Sequence, residues 1–137
     1  MAKVLISGGA GFIGSHIAEN YLASGLEVVI VDNLSTGKRE NLPSGVTFYE
    51  RDITSKEDME EIFFRERPDY VNHHAAQINL RRSIEEPLFD AQVNILGSIS
   101  LLELSVKYQV QKFIFDSTGR AIYGEVETLP VRENMPA

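Results

Sequence analysis

Apolar residues fall along this chain in two alternating rhythms. Short runs, Lys3-Val4-Leu5-Ile6, Val28-Val29-Ile30-Val31, Val46-Thr47-Phe48-Tyr49-Glu50, Tyr70-Val71-Asn72-His73 and Lys112-Phe113-Ile114-Phe115-Asp116, are too short for helices. They are rich in β-branched and aromatic residues, so each predicts a strand. Between them apolar positions recur at helical spacing: Ile13, Ile17 and Tyr21 with Leu22 in one segment, and Met59, Ile62 and Phe63 in another. The first predicted helix ends at Gly25. The second opens on Thr54-Ser55-Lys56-Glu57-Asp58, an N-cap with acids in the first turn, and stops before Pro68. A third helical pattern holds Leu88, Ala91, Val93, Ile95, Leu96, Ile99, Leu102, Leu104 and Val106. That is more apolar face than one core contact needs, so packing on both sides is expected. Residues 32–45 read as a loop with one helical turn around Lys38 to Leu42, 75–87 as irregular, 117–124 as a loop, and 125–137 show little periodicity.

Strand and helix alternate throughout, which predicts an α/β fold: a doubly wound parallel sheet of about five strands, right-handed crossovers and helices on both faces. In such sheets ligands bind at the carboxyl ends of the strands, near the point where strand order reverses. Gly8 to Gly14, Asp32, Asp52, Ala75 to Gln77 and Ser117-Thr118 all fall at those ends.

The segment Ser7-Gly8-Gly9-Ala10-Gly11-Phe12-Ile13-Gly14 joins the first strand to the first helix. Its glycines permit a tight turn and remove side chains that would keep a phosphate from the backbone, while the helix N-terminus attracts anions. Gly9, Gly11 and Gly14 fit one dinucleotide spacing and Gly8, Gly11 and Gly14 another; spacing alone does not choose. With a second strand closing on Asp32, the whole reads as a Rossmann-type dinucleotide site. Asp32 would accept hydrogen bonds from the adenosine ribose and repel a 2′-phosphate, favouring NAD over NADP. Lys38 and Arg39 are read as solvated loop charges, with contact to a 2′-phosphate as the alternative. Asp52 is read as facing the ligand, since Thr54 or Ser55 already supplies a cap. His73 and His74, adjacent on a strand, point to opposite faces and cannot share a ligand, so no metal is expected. Tyr108-Gln109-Val110-Gln111-Lys112 has a reductase-like Tyr-x-x-x-Lys spacing, but Lys112 begins a strand, placing both residues at the edge away from a cofactor. Ser117 and Thr118 sit at the correct edge, where either can serve a substrate hydroxyl or a turn.

The 137 residues suit one domain, and 43% hydrophobic with 24% charged residues is ordinary for a globular chain. A net charge of −7 with no basic cluster argues against nucleic acid and against an anionic membrane surface. The absence of cysteine excludes disulfides and thiolate chemistry, and no apolar run reaches signal-peptide or membrane-spanning length, so a cytoplasmic setting is expected.

These residues resemble the extended branch of the short-chain dehydrogenase/reductase superfamily, and within it the nucleotide-sugar epimerases typified by UDP-glucose 4-epimerase. The resemblance rests on SGGAGFIGSH at 7–16, VDNLSTGKRENL at 31–42, RDI at 51–53, HHAAQ at 73–77, SIEEP at 83–87, NILGS at 94–98 and FDSTGRAIYGE at 115–125. It implies a bound NAD that takes a hydride from C4 of a UDP-hexose and returns it to the other face. It implies that Gly8, Gly11, Phe12, Ile13 and Gly14 hold the pyrophosphate, which prefers the Gly8 register. Asp32 and Asn33 would hold the adenosine ribose, with Ser35, Thr36 and Gly37 beside them, and Asp52 and Ile53 the adenine. Ala75, Ala76 and Gln77 would line the middle of the cofactor and Asn94 would buttress the site. The catalytic hydroxyl falls at Thr118 or, one residue away, Ser117. Ser7 stands for the usual threonine, and Arg120 for a small residue. The family's own Tyr-x-x-x-Lys and most of its sugar-nucleotide lobe lie beyond residue 137; Tyr123 is no substitute, having Glu127 four residues on. The chain is therefore expected to be the N-terminal NAD-binding part of such an enzyme, inactive without the rest, and to self-associate as a homo-oligomer. A sugar-nucleotide 4,6-dehydratase part is the alternative within enzymes, although Thr118-Gly119-Arg120 stands where that class wants an Asp-Glu pair. A stand-alone NAD-binding or interaction module is the alternative outside them.

Overall fold

A computed structural model describes residues 1–118, 122–124 and 129–135. Five parallel strands, β1 (Lys3–Ser7), β2 (Glu27–Asp32), β3 (Thr47–Glu50), β4 (Tyr70–His73) and β5 (Lys112–Phe115), form one sheet in the order β3-β2-β1-β4-β5. The chain builds outward from β1 to β3, then returns to the other side of β1 for β4 and β5. Strand order therefore reverses between β1 and β4.

Both faces of the central strands are covered, which is why their sequences are unbroken apolar runs rather than alternating ones. Leu5, Val29, Val31 and Val71 point to one face and pack with Met59, Ile62 and Phe63 of α2 (Lys56–Glu66) and Leu101 and Leu104 of α5 (Ser98–Lys107). Val4, Ile6, Val28 and Ile30 point to the other and meet Ala18 of α1 (Phe12–Ala23), with Ile17, Tyr21 and Leu22 partly buried beside it. Ser55 caps α2 by accepting from the Asp58 N–H at 3.4 Å, and Arg67 closes it in the left-handed region. A single 3-10 turn, Arg39–Asn41, interrupts the loop after β2.

Two sequence expectations are corrected. The stretch expected to be irregular holds a short helix, α3 (Leu80–Glu85), whose start is fixed by Asn79 accepting from the Arg82 N–H. Asn is among the strongest N-capping residues. Pro87, at the first turn of α4 (Pro87–Ala91), then forces a new start, because proline cannot donate into a continuing helix.

The long helical pattern that follows is not packed on both sides. A π-helical segment, Gln92–Gly97, links α4 to α5 and shifts the phase of the helix, so its apolar positions do not share one stripe. Leu101 and Leu104 are buried and Val93 partly so, whereas Leu88, Ile95, Leu96, Ile99, Leu102 and Val106 are exposed. No helix among the described residues is long and apolar enough to cross a membrane.

Candidate functional site

The turn from β1 into α1 is built around the Gly8 carbonyl. Gly8 has φ +74°, and a Cβ there would lie 2.6 Å from the Ala75 N. A Cβ on Gly14 would lie 2.4 Å from the Gly8 O, so the helix start presses directly on the turn. Gly9 faces the sheet, where its Cβ would strike Ile30, whereas Gly11 meets only the Gly8 O at 3.3 Å and is otherwise open. Gly11 is the N-cap of α1 but carries no capping side chain, and the first turn holds no acid. The N–H groups of Phe12, Ile13 and Gly14 therefore keep the free donor capacity of a helix N-terminus. The side chains of Phe12 and Ile13 are exposed.

Asp32 ties this turn to the next loop. It is buried; one carboxylate oxygen accepts from the Ala10 N–H at 2.9 Å and the other from the Leu34 N–H at 2.8 Å. Each oxygen retains a lone pair for a further donor, such as a ribose hydroxyl. Leu34 adopts φ 56°, Gly37 lies so close that a Cβ would sit 3.0 Å from both Ala10 and the Asp32 Oδ1, and the Lys38 N–H donates to the Ala10 carbonyl at 3.0 Å. Residues 33–38 are thereby folded over the glycine turn, with Asn33, Ser35 and Thr36 exposed.

Asn33 reaches across to Asp52, donating at 2.6 Å. Asp52 also accepts from the Thr54 N–H and hydroxyl at 2.9 and 2.7 Å. Burial pushes the Asp52 carboxyl up, but these three hydrogen bonds outweigh it and hold the group below the usual carboxylate range. The Ile53 side chain is buried in the core and packs on Gly97 of the π segment. Arg39 pairs with Glu50 and lies 5.1 Å over the Phe48 ring, and Lys38 pairs with Glu40, so both loop cations have partners within the chain.

At the end of β4 a buried polar chain runs from the sheet to Asn94, the residue expected to buttress the site, through two links that the sequence does not announce, His73 and Ser98. His73 Nε2 lies 2.8 Å from Ser98 Oγ, and Ser98 Oγ donates to the Asn94 carbonyl at 2.7 Å. The Asn94 side chain then accepts from the Gln77 N–H and donates to the Gln77 carbonyl, at 2.8 and 2.9 Å. Asn94 thus fixes the backbone of the Ala75–Gln77 segment from the π segment. Burial above all, with the neighbouring His74 second, lowers the His73 imidazole to about 4 against a weaker opposing pull from Asp116. For its inner links, His73 and Ser98, periodicity offers only the signal of polar residues in apolar runs.

His74 faces elsewhere, pairing through Nδ1 with Asp116 at 2.5 Å. The two histidines have separate partners, and among the described residues no three His, Asp or Glu are grouped to hold a metal. Ser117 and Thr118 are exposed at the carboxyl end of β5; Gly119, Arg120 and Glu127 lie outside the described residues. Tyr108 ends α5 and bonds Glu60 on α2, while Lys112 starts β5. That pair stands at the amino edge of the sheet, opposite the glycine turn.

The carboxyl edge therefore brings together Gly8–Gly14, Asp32–Gly37, Asp52, Ala75–Gln77 and Asn94 around the reversal of strand order. Comparison with known proteins matches this arrangement. A UDP-glucose 4-epimerase from Thermus thermophilus, solved in complex with NAD, superposes with a TM-score of 0.90 at 52% identity, covering 98% of this chain and 43% of that one. The UDP-glucose 4-epimerase of Thermotoga maritima, solved with UDP-glucose, gives a TM-score of 0.90 at 51% identity, over 98% and 44% of the two chains. A UDP-glucose 4-epimerase of Mycolicibacterium smegmatis is 37% identical over 98% of this chain and 44% of its own length. The chain spans less than half the length of these relatives. A family model for NAD dependent epimerases and dehydratases matches residues 4–137, nearly the whole length read above, and the chain belongs to that NAD dependent epimerase/dehydratase family.

Proposed function

We propose that this chain forms the NAD-holding portion of a nucleotide-sugar 4-epimerase acting on UDP-glucose and UDP-galactose. One arrangement carries the reading: an uncapped helix N-terminus with open Gly11 at its mouth, set at the reversal of strand order with Asp32 alongside. The donors suit a pyrophosphate and the carboxylate suits ribose hydroxyls, so the residues present fit NAD. When bound, NAD supplies a reversible hydride acceptor. Around it, the N–H groups of Phe12, Ile13 and Gly14 bind the pyrophosphate and Asp32, with Asn33, orients the adenosine. The Ala75–Gln77 backbone, held by Asn94, lines the middle of the site, and Thr118 or Ser117 hydrogen-bonds the sugar hydroxyl. Calorimetric titration of the chain with NAD and NADP tests this: NAD binds, and NADP binds at least about tenfold more weakly because its 2′-phosphate meets the Asp32 charge. Absence of NAD binding defeats the reading.

A second reading, an NAD-binding module that self-associates, is favoured by the apolar side chains of Leu88, Leu96, Ile99, Leu102 and Val106, left exposed along α4, the π segment and α5. Exposed patches of that kind mark interaction surfaces. Sedimentation velocity tests this contact: a homo-oligomer supports it and a monodisperse monomer removes it.

A further inference from the structure

The loops that follow β4 and β5 carry the two halves of the candidate site, Ala75–Gln77 and Ser117–Thr118, yet no direct hydrogen bond joins these halves. The link lies one residue past each strand. The ladder ends with His73 opposite Phe115, and the Asp116 N–H reaches the His73 carbonyl at 3.4 Å. Beyond that weak last rung, His74 Nδ1 and Asp116 Oδ2 close at 2.5 Å. The His74 side chain is 5% exposed and Asp116 44% exposed, so the pair is anchored in the interior and ends at the surface beside Ser117. The His74 backbone is fixed in turn, its N–H donating to the Ser7 carbonyl at 2.9 Å. Among the described residues the His74 Nε2 has no partner, so the only polar contact of this buried ring is Asp116. Removing it would take away the ring's one polar partner, a larger loss than that of an ordinary surface ion pair.

We propose that His74 and Asp116 are positioning residues, a clasp that sets the Ser117–Thr118 hydroxyls against the Ala75–Gln77 segment so that the two loops move as one unit. The ring donates its Nδ1 proton to the carboxylate, and the carboxylate holds the first residue of the β5 loop in register with β4. The inference rests on the proposed place of Thr118 and Ser117 in the site.

Nuclear magnetic resonance of the full chain tests it. In the unsubstituted protein the His74 Nδ1 proton is expected as a slowly exchanging, downfield signal. The backbone order parameters of Ser117 and Thr118 are expected near 0.85, the value of rigid backbone. In Asp116→Ala, at a site half in solvent where folding is preserved, the signal disappears and both order parameters fall below about 0.6, while β1 and β2 amides keep their shifts. Asp116→Glu keeps the carboxylate and retains both readouts. The proposal is overturned by a mobile Ser117–Thr118 segment in the unsubstituted protein, by order parameters unmoved in Asp116→Ala, by changes spread equally over β1 and β2, or by a glutamate that behaves like the alanine. NAD titration of the same samples reports on the proposed function alone, so the two ideas fail separately.

Discussion

Ser7 Oγ lies 2.6 Å from His73 Nδ1, joining the two strands between which the order of the sheet reverses. The contact also assigns the histidine's tautomer. Ser98 spends its proton on the Asn94 carbonyl, so it accepts from His73 Nε2–H, and Nδ1 is left to accept from the Ser7 hydroxyl. A neutral ring satisfies both serines; a protonated one would donate to Ser7 Oγ and leave the Ser7 hydroxyl proton without its acceptor.

Stability therefore falls with acid. His73 is depressed to about 4 in the folded chain against 6.5 unfolded, so between those values the unfolded chain binds the extra proton. The contribution is complete above pH 6.5 and is lost as pH falls toward 4, by up to about 3 kcal/mol at ~1.4 kcal/mol per unit. Urea unfolding at pH 7.5 and 4.5 measures it. His73→Gln should remove this slope while leaving that of the carboxylates, and an unchanged slope refutes the assignment.

Two glycines should respond differently to alanine. Gly14→Ala drives a Cβ to 2.4 Å from a backbone carbonyl, so the turn must move, at about 2 kcal/mol and with loss of NAD binding. Gly25 has φ +78° but nothing within 4 Å, so Gly25→Ala meets only backbone strain of about 1 kcal/mol and leaves NAD affinity unchanged. Thermal melts paired with NAD titration separate the cases.

Asp32→Ala strips acceptors from two backbone N–H groups and removes the charge proposed above to disfavour a 2′-phosphate. NAD affinity should fall at least about tenfold and the preference over NADP should shrink toward parity. Calorimetry with both nucleotides checks the ratio; an NAD preference that survives intact places selectivity elsewhere.

Adjacent phenylalanines give a test of packing. Phe63 is fully buried in the α2 face, and Phe63→Ala should cost about 3–5 kcal/mol. Phe64 is 65% exposed, and its alanine variant should stay within about 0.5 kcal/mol by denaturant unfolding.

Tyr108→Phe loses only the hydroxyl contact to Glu60 at the amino edge. It should leave NAD affinity unchanged and shift stability by less than about 1 kcal/mol. A tyrosine serving the cofactor would change the first quantity.

The five strands and the helices at α1 and α2 were legible because each is written locally, in apolar runs, glycines, caps and a stopping proline. The glycine turn and Asp32 were legible for the same reason: strand, turn, helix and acid follow one another within 32 residues. What escaped was non-local or phase-dependent. Asn79 as a cap was hidden among polar neighbours, and a π segment changes a helix's phase without leaving a composition signal. In the sequence His73 and His74 show only that they cannot share a ligand, because their partners Ser7, Ser98 and Asp116 are brought near only by the fold.

The placing of β1 at the centre has a kinetic side. Leu5 pairs with Val29 on one flank and with Val71 on the other, so β1 is completed only when β4 arrives. Until then Val4, Leu5 and Ile6 present an open apolar edge, the kind of long-range parallel pairing that folds slowly and invites another chain to pair in its place. Refolding should accordingly be slow and sensitive to protein concentration, with the β1–β4 junction forming late.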